Sequence, residues 1–489
     1  MLGGKISSAG DCMPRSGMEQ GLGSRAIAAA TWADMPVQRR LMLMRRLREH
    51  IADQSSQLAA VCNPHAGRTR RESLVAEVLP LADACQFLQR NARRILRPLH
   101  FGRRSGPWWL GALSGRIERR PWGRVLIIGP SNYPLLLPGV QVVQALVAGN
   151  EVMVKPGRGG RAAMMELGTL LEKSGLPASL FTVLPEDISS VDEALRAGVD
   201  KVVLTGSLAA GKAILQRLAH TVTPATLELS GCDAVFVLAG ANVKLAARTI
   251  AFGLTFNRSA TCMAPRRLFV HDSLAGPLEE TLCELLRQVE PVTVPGGPST
   301  AGAIIKESLK CGGRLVAGHL HEDGSIQCPC VLADATADMA LMTADVMAPI
   351  AALVRFDSLD AAVKDANKCP YKLGASIFGP PDAARDLARR LPVGVITIND
   401  LIAPTAHPRV TLAARGTSGF GATRGAEGLL EMTTPVTIIE RRGRWLPHLA
   451  PPLPSDENVL QAMLKIRHGG NMRVRCRAVL QFIKAVRNR

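Results

Sequence analysis

Four short apolar runs, Val125-Leu126-Ile127-Ile128, Val152-Met153-Val154, Phe181-Thr182-Val183-Leu184 and Val202-Val203-Leu204, are separated by stretches of helix length, and this spacing restricts the fold more than any other feature. A strand with one wet face alternates apolar and polar residues, whereas a strand covered on both faces reads as a continuous apolar run. Continuous runs alternating with helices imply a parallel sheet joined by right-handed crossovers. A second α/β region follows from about residue 232 to about 415. The fold class is therefore α/β, with two doubly wound parallel-sheet domains. A chain of 489 residues agrees with this, since one core rarely serves more than ~200 residues.

Residues 1–24, rich in Gly and Ser, read as a mobile leader. Leu41, Met44, Leu47 and Ile51 recur at helical spacing within 36–60, after Pro36, and residues 72–98 repeat the pattern. Residues 25–230 then comprise N-terminal helices and the first α/β domain, residues 231–415 the second, and 416–446 a return to the first. Pro451-Pro452-Leu453-Pro454 marks a break within 447–489, before a basic, helix-like tail.

Open parallel sheets bind ligands at the carboxyl ends of their strands, where helix N-termini present free N–H groups to phosphate. Thr205-Gly206-Ser207, after a strand and before a helix, is placed to do this, and reads equally as a strand-to-helix turn with a Ser or Thr cap. A standard G-x-G-x-x-G fingerprint is missing. Thirty-four residues separate Glu228, in Leu227-Glu228-Leu229-Ser230-Gly231, from Cys262, in Ser259-Ala260-Thr261-Cys262-Met263-Ala264-Pro265. Together they propose a nucleophile and its base, because a thiol attacks strongly only as thiolate. The bland alternatives are a small buried hydrophobe for Cys262, a solvated strand end for Glu228 and a turn residue for Asn132 in Gly129-Pro130-Ser131-Asn132-Tyr133-Pro134.

In order, Pro121-Trp122-Gly123, the Asn132 segment, Ala148-Gly149-Asn150-Glu151-Val152-Met153-Val154-Lys155-Pro156, Leu204-Thr205-Gly206-Ser207 with Gly211, and the Glu228 and Cys262 segments resemble the aldehyde dehydrogenase superfamily, from about residue 120 to about 440. Val393-Gly394-Val395-Ile396-Thr397-Ile398-Asn399 and Ser418-Gly419-Phe420-Gly421 continue the resemblance. It implies that Cys262 attacks an aldehyde carbonyl, that the Asn132 amide and the Cys262 N–H hold the oxyanion, and that Glu228 activates water against the resulting thioester. A glutamate there favours an acid product over transfer to CoA. By the same resemblance Lys155, Arg158, Thr205, Gly206, Ser207, Gly211, Asp345 and Met347 contact NAD or NADP; no metal is expected, since Cys328-Pro329-Cys330 lacks the second pair a zinc site would need.

The departures from the family pattern carry their own expectations. Arg158 stands where the family has an acid that takes the ribose hydroxyls, which tilts the cofactor towards NADP. Asp345-Val346-Met347-Ala348-Pro349 replaces Glu-x-Phe-Gly-Pro, and implies loose seating of the nicotinamide and slow turnover. Arg116-Ile117-Glu118-Arg119-Arg120 and Val436-Thr437-Ile438-Ile439-Glu440 match the family's pairing arm, which implies a homodimer or homotetramer. Tyr133, Phe252 and Phe256 point to an apolar substrate entrance.

The net charge of +18 is partly a tail property: after Glu457 there are no acids, and eight Lys and Arg residues follow. Such a tail reads first as solvated, with nucleic-acid or anionic-membrane contact as a secondary expectation. No run of 18 apolar residues occurs, and eleven irregularly spaced cysteines fit a reducing cytoplasm. Two other functions compete with aldehyde oxidation: a CoA-acylating or reductive acyl-transferring relative, and a catalytically weak scaffold that uses the basic tail.

Overall fold

The computed structural model describes residues 27–62, 68–102, 110, 112–296, 301–441, 446–449, 451–454 and 456–487, so the leader of residues 1–24 lies outside the described residues. The chain forms two compact units, Met1–Arg97 with Arg119–Pro435, and Pro98–Glu118 with Val436–Arg489.

The first unit holds two sheets. In the first, β1 (Arg124–Ile128), β2 (Glu151–Lys155), β3 (Phe181–Val183), β4 (Lys201–Gly206) and β5 (Ala225–Leu229) lie in the order β5-β4-β1-β2-β3, all parallel. The four apolar runs are four of these strands, and Val125, Leu126, Ile127, Val152, Val154, Val202 and Val203 are wholly buried. The chain starts at the middle of the sheet, runs outward through β2 and β3, and crosses back to β4. This reversal between β1 and β4 opens a crevice at their carboxyl ends.

Helices α1 (Val37–Asp53), α2 (Leu79–Ile95) and α3 (Leu136–Ala148) share one core with this sheet, in which Met44, Leu47, Ile51, Leu81 and Leu88 meet Val140, Val143 and Val147. Every residue of α3 is buried, which explains its lack of a polar stripe. The helical periodicity over 36–60 is real but interrupted: α1 ends at Asp53 and a short helix, Ser55–Val61, follows. The pattern over 72–98 is likewise composite. A capping box between Thr69 and Glu72 opens it, a π turn spans Leu74–Val78, and α2 continues to Ile95. The wide π turn buries Ala76, Glu77 and Val78 in succession, more than one face of a regular helix allows.

The second sheet comprises β6 (Asp233–Val237), β7 (Pro265–His271), β8 (Val292–Val294), β9 (Arg314–Leu320), β10 (Ile326–Ala333), β11 (Ile350–Phe356), β12 (Gly374–Phe378) and β13 (Val395–Ile398). Its order is β8-β10-β11-β7-β6-β12-β13, parallel from β10 to β13, with β8 and β9 each antiparallel to β10. Phe236 and Phe269 stack at its centre with ring centroids 5.1 Å apart.

The second unit carries a three-stranded sheet in which Leu113–Pro121 lies between Leu99–Phe101 and Thr433–Arg441. Both arm segments read from the sequence fall on these strands. The basic tail is a helical hairpin.

Candidate active site

The site is built from loops at the carboxyl ends of both sheets. Between β1 and α3 the chain turns through Gly129–Leu135, and Gly129 N–H donates to the Lys155 carbonyl at 2.9 Å. A Cβ at Gly157 would run into the Pro130 carbonyl, so only glycine lets the loops after β1 and β2 close on each other. Cys262 follows α5 (Val243–Thr255) on a turn in which Asn257, Arg258 and Ser259 all adopt left-handed φ values of 51°, 51° and 59°. For residues other than glycine that conformation costs ~1–2 kcal/mol each, so the surroundings must impose it. Buried Arg266 does so: its guanidinium donates to Ser259 Oγ and the Ser259 carbonyl at 2.7 Å, and to the Ala348 carbonyl at 2.6 Å. At Gly231, a Cβ would lie 2.5 Å from the Cys262 carbonyl, so glycine between β5 and β6 admits the thiol loop.

One buried ion pair ties these loops together. Arg68 meets Glu77 at 2.5 Å, with side chains 1% and 0% exposed. Arg68 also donates to Asn257 Oδ1 at 2.5 Å and to the Asn132 carbonyl, and its guanidinium lies 4.6 Å from the Tyr133 ring centroid. The other oxygen of Glu77 accepts from the backbone N–H groups of Leu135 and Leu136 at 3.1 and 2.6 Å, at the start of α3. Asn132 is thereby fixed, and its side-chain amide donates to the Ala260 carbonyl at 2.9 Å. The Tyr133 hydroxyl reaches Thr261 Oγ1 at 2.7 Å.

Glu228, at the end of β5, is buried, with one oxygen accepting from Thr423 Oγ1 at 2.5 Å and the other without a hydrogen-bond partner. Burial pushes its carboxyl above the usual range, while the Arg424 guanidinium and the Thr423 hydroxyl pull it back. Half-buried Cys262 is held well above the ordinary thiol range by burial and by the carboxylates of Glu228 and Asp233, with Arg424 acting the other way. As the chain stands, Cys262 is a thiol, and attack by its sulfur needs a base.

Two cavities flank these groups. One, of about 560 Å³, is lined by Asn132, Lys155, Arg158, Thr205, Gly206, Ser207, Glu228, Cys262, Asp345 and Met347, which brings together all but one of the site residues read from the sequence. The exception is Gly211, which is buried in α4 (Leu208–Leu218), where a Cβ would come 2.6 Å from Leu229 Cδ1; it serves packing. Ser207 caps α4 by accepting from Ala210 N–H at 3.2 Å, and Thr205 Oγ1 accepts from Gln141 Nε2 at 3.0 Å. Burial lowers the Lys155 ammonium, against the lifting charges of Glu186 and Asp187. Glu186 fixes the Arg158 loop by accepting from the N–H groups of Gly159 and Arg161, each at 2.9 Å. The second cavity, about 180 Å³, is apolar, with Val75, Leu136, Phe252, Phe256, Ile402 and Leu412 among its walls, and Tyr133 also lines it. Leu137, Glu228 and Cys262 belong to both.

The sequence reading missed Arg68, Glu77, Thr423 and Arg424. Glu77 carried a signal, a carboxylate inside the apolar run Leu74–Leu81; the others are single polar residues without a motif.

The chain matches the family model described as aldehyde dehydrogenase family over residues 23–438. It is 30% identical over 452 residues to the 4,4'-diapolycopene aldehyde oxidase of Methylomonas sp, covering 88% of this chain and 84% of that protein. It is 29% identical over 332 residues to the 4,4'-diaponeurosporen-aldehyde dehydrogenase of Staphylococcus aureus, covering 65% of this chain and 72% of that one. Its fold matches the crystal structure of an aldehyde dehydrogenase from Brucella melitensis biovar abortus 2308 with a TM-score of 0.77 at 21% identity, over 88% of this chain and 91% of that one.

Replacing Arg68 by Met leaves Glu77 buried without its cation, and should cost ~3–5 kcal/mol of stability in denaturant unfolding. Arg68→Met with Glu77→Leu should cost less than the two single changes added together, a coupling that a double-mutant cycle reads directly.

Proposed function

Because the chain belongs to the aldehyde dehydrogenase family of oxidoreductases, we propose that it oxidises a bulky apolar aldehyde to the carboxylic acid, with NAD or NADP, through a covalent adduct at Cys262. One observation carries this reading: Cys262 and Glu228 form the common wall of a large cavity that also holds Lys155, Arg158 and Asp345 and of a smaller apolar pocket. The relatives from Methylomonas and Staphylococcus bear the names of enzymes for 4,4'-diapolycopene aldehyde and 4,4'-diaponeurosporen-aldehyde, which accords with the apolar lining.

The residues of the larger cavity fit a dinucleotide. It lies at the carboxyl ends of β1, β2, β4 and β5, the first turn of α4 borders it, and Lys155 and Arg158 supply cations. Arg158 is exposed on this lining, free of the repulsion that an acid there would direct at a 2′-phosphate, which favours NADP. When bound, the nicotinamide supplies the acceptor for hydride.

The remaining chemistry belongs to the chain. Glu228 takes the thiol proton as Cys262 Sγ bonds to the carbonyl carbon. An amide has two N–H donors, so Asn132 holds the Ala260 carbonyl with one and has the other for the oxyanion, beside the Cys262 N–H. Once hydride has left, an acyl group remains on sulfur and Glu228 gives up the thiol proton to solvent; as base again, it removes a proton from water, which attacks the acyl carbon, and that proton passes to the departing sulfur, so that acid and thiol are released. Met347, exposed and flexible, gives the nicotinamide face a weak wall, in keeping with slow turnover. Thr433–Arg441 forms an outer strand of its sheet and supports pairing with a second copy. The irregular cysteines support a reducing, cytoplasmic setting.

A second reading, an aldehyde with a distal carboxylate, is favoured by Arg424, which lines the apolar pocket with its Nε unbonded. It ranks lower because Arg424 Nη1 already donates to the Thr405 carbonyl at 3.0 Å and its charge acts on Glu228.

Reduced-nicotinamide absorbance should show turnover of long apolar aldehydes above short aldehydes bearing a carboxylate, and none with Cys262→Ala; CoA should leave the product an acid. Preference for the carboxylate-bearing aldehydes, lost in Arg424→Gln, would install the second reading. Arg158→Glu should lower kcat/KM with NADP by about 10–100-fold and spare NAD, the worth of a charged hydrogen bond. The base form of Glu228 exists only above its raised pKa, so kcat should fall as pH drops through a value above the ordinary carboxylate range. Arg424→Gln and Thr423→Val each remove a group that lowers that pKa, and should move the limb to higher pH.

A further inference from the structure

Residues 439–489 lie beyond the segment that the family model matches, and their helices α6 (Asp456–His468) and α7 (Met472–Arg487) pack on each other as a hairpin. The buried residues of the pair are Val459, Ala462, Ala478 and Ala485. On α7 a second apolar face remains. Met472, Cys476, Val479, Ile483 and Val486 follow at intervals of four, three, four and three residues, a single stripe along a helix. The stripe is in solvent: Met472, Val479, Ile483 and Val486 are exposed at 69%, 42%, 44% and 45%. Arg473, Arg477 and Lys484 run along one flank and Arg475 stands on the other, with Arg487 at the end. No acid follows Glu457 anywhere in the chain.

The two properties together choose among partners. A second copy would bury the stripe, but would bring arginines of the same helix face to face. A nucleic acid would neutralise the arginines and leave the stripe in water. An anionic lipid surface answers both: the apolar stripe sinks to the boundary of headgroups and acyl chains, and the long basic side chains reach up to lipid phosphates. No helix among the described residues is long and apolar enough to cross a membrane, and α7, with 16 residues and five cations, has the make-up of a helix lying in the surface.

We propose that α7 docks the protein on anionic bilayer surfaces, its Met472–Val486 stripe inserted and its flanking cations on the headgroups. Docking through α7 does not depend on the proposed reaction; joined to that reaction, it sets a dehydrogenase for apolar aldehydes on the phase in which such aldehydes dissolve.

Flotation of the purified full-length chain with vesicles tests it. Vesicles of phosphatidylcholine with phosphatidylglycerol should carry the protein upward, and phosphatidylcholine alone should carry about tenfold less or below. Val479→Gln with Ile483→Gln, and separately Arg473→Gln with Arg477→Gln and Lys484→Gln, should each lose about tenfold or more in binding. These positions are exposed, so circular dichroism and thermal melting should match the parent. Failure to float with the anionic vesicles, or flotation unchanged by Val479→Gln with Ile483→Gln, overturns the proposal. So would an α7-dependent dimer without lipid binding, or duplex DNA binding that survives loss of the stripe. The readout needs no aldehyde turnover, so an error about the reaction would leave it intact.

Discussion

The ion pair between Arg68 and Glu77 is the interaction on which the site's geometry depends. Taking two charges out of water costs several kcal/mol, and their attraction returns this only with good geometry and further hydrogen bonds. Here the further bonds are the point. Arg68 reaches Asn257 and the Asn132 carbonyl, and Glu77 receives the first N–H groups of α3. An apolar pair of the same volume could fill the space, but would leave the α3 terminus without its acceptor and the Asn132 carbonyl with only the longer bond from Asn257 Nδ2, at 3.4 Å. Three regions distant in sequence, residues 68–77, 132–136 and 257, meet at one buried guanidinium and one carboxylate, and the strained turn before Cys262 is held against the same group.

The electrostatics of the thiol follow from that enclosure. A sulfur among carboxylates and apolar walls stays protonated, and Arg424 is the cation whose charge opposes this. The same guanidinium acts on Glu228, so a single residue biases the proposed nucleophile and base together. An exposed site would screen such effects; a buried one lets them set which proton moves.

The first sheet was legible strand by strand because strands buried on two faces leave a compositional trace, and Val125–Ile128 or Val202–Leu204 allow no alternating reading; the second was legible only as an α/β region, and its antiparallel edge strands β8 and β9 were not. Cys262, Glu228, Asn132 and Lys155 were legible through ordered segments, and the structure brings them to one cavity. Arg68 was not: its partner Asn257 is 189 residues away, and no local pattern encodes such a meeting. Thr423 and Arg424 were hidden for the same reason, since they reach Glu228 across 195 residues or so of chain. Gly211 matched its motif and yet packs against Leu229, showing that spacing alone does not separate a ligand contact from a helix-to-strand contact. On α7 the exposed stripe interleaves with a buried one through Ala478 and Ala485, so that the helix reads as evenly mixed until the hairpin reveals which face is covered.

The small volume of the apolar pocket sets the kind of discrimination available at Cys262. About 180 Å³ encloses the terminus of a long hydrocarbon and little more, and Phe252, stacked on Phe256 with centroids 4.9 Å apart, stands part-exposed on its wall. A chain many carbons long would therefore have to keep most of its body outside. On the proposed reading, such a catalyst would gauge the girth and polarity of an end group and be blind to overall length, so molecules that differ only in their far halves would be, to Cys262, the same substrate.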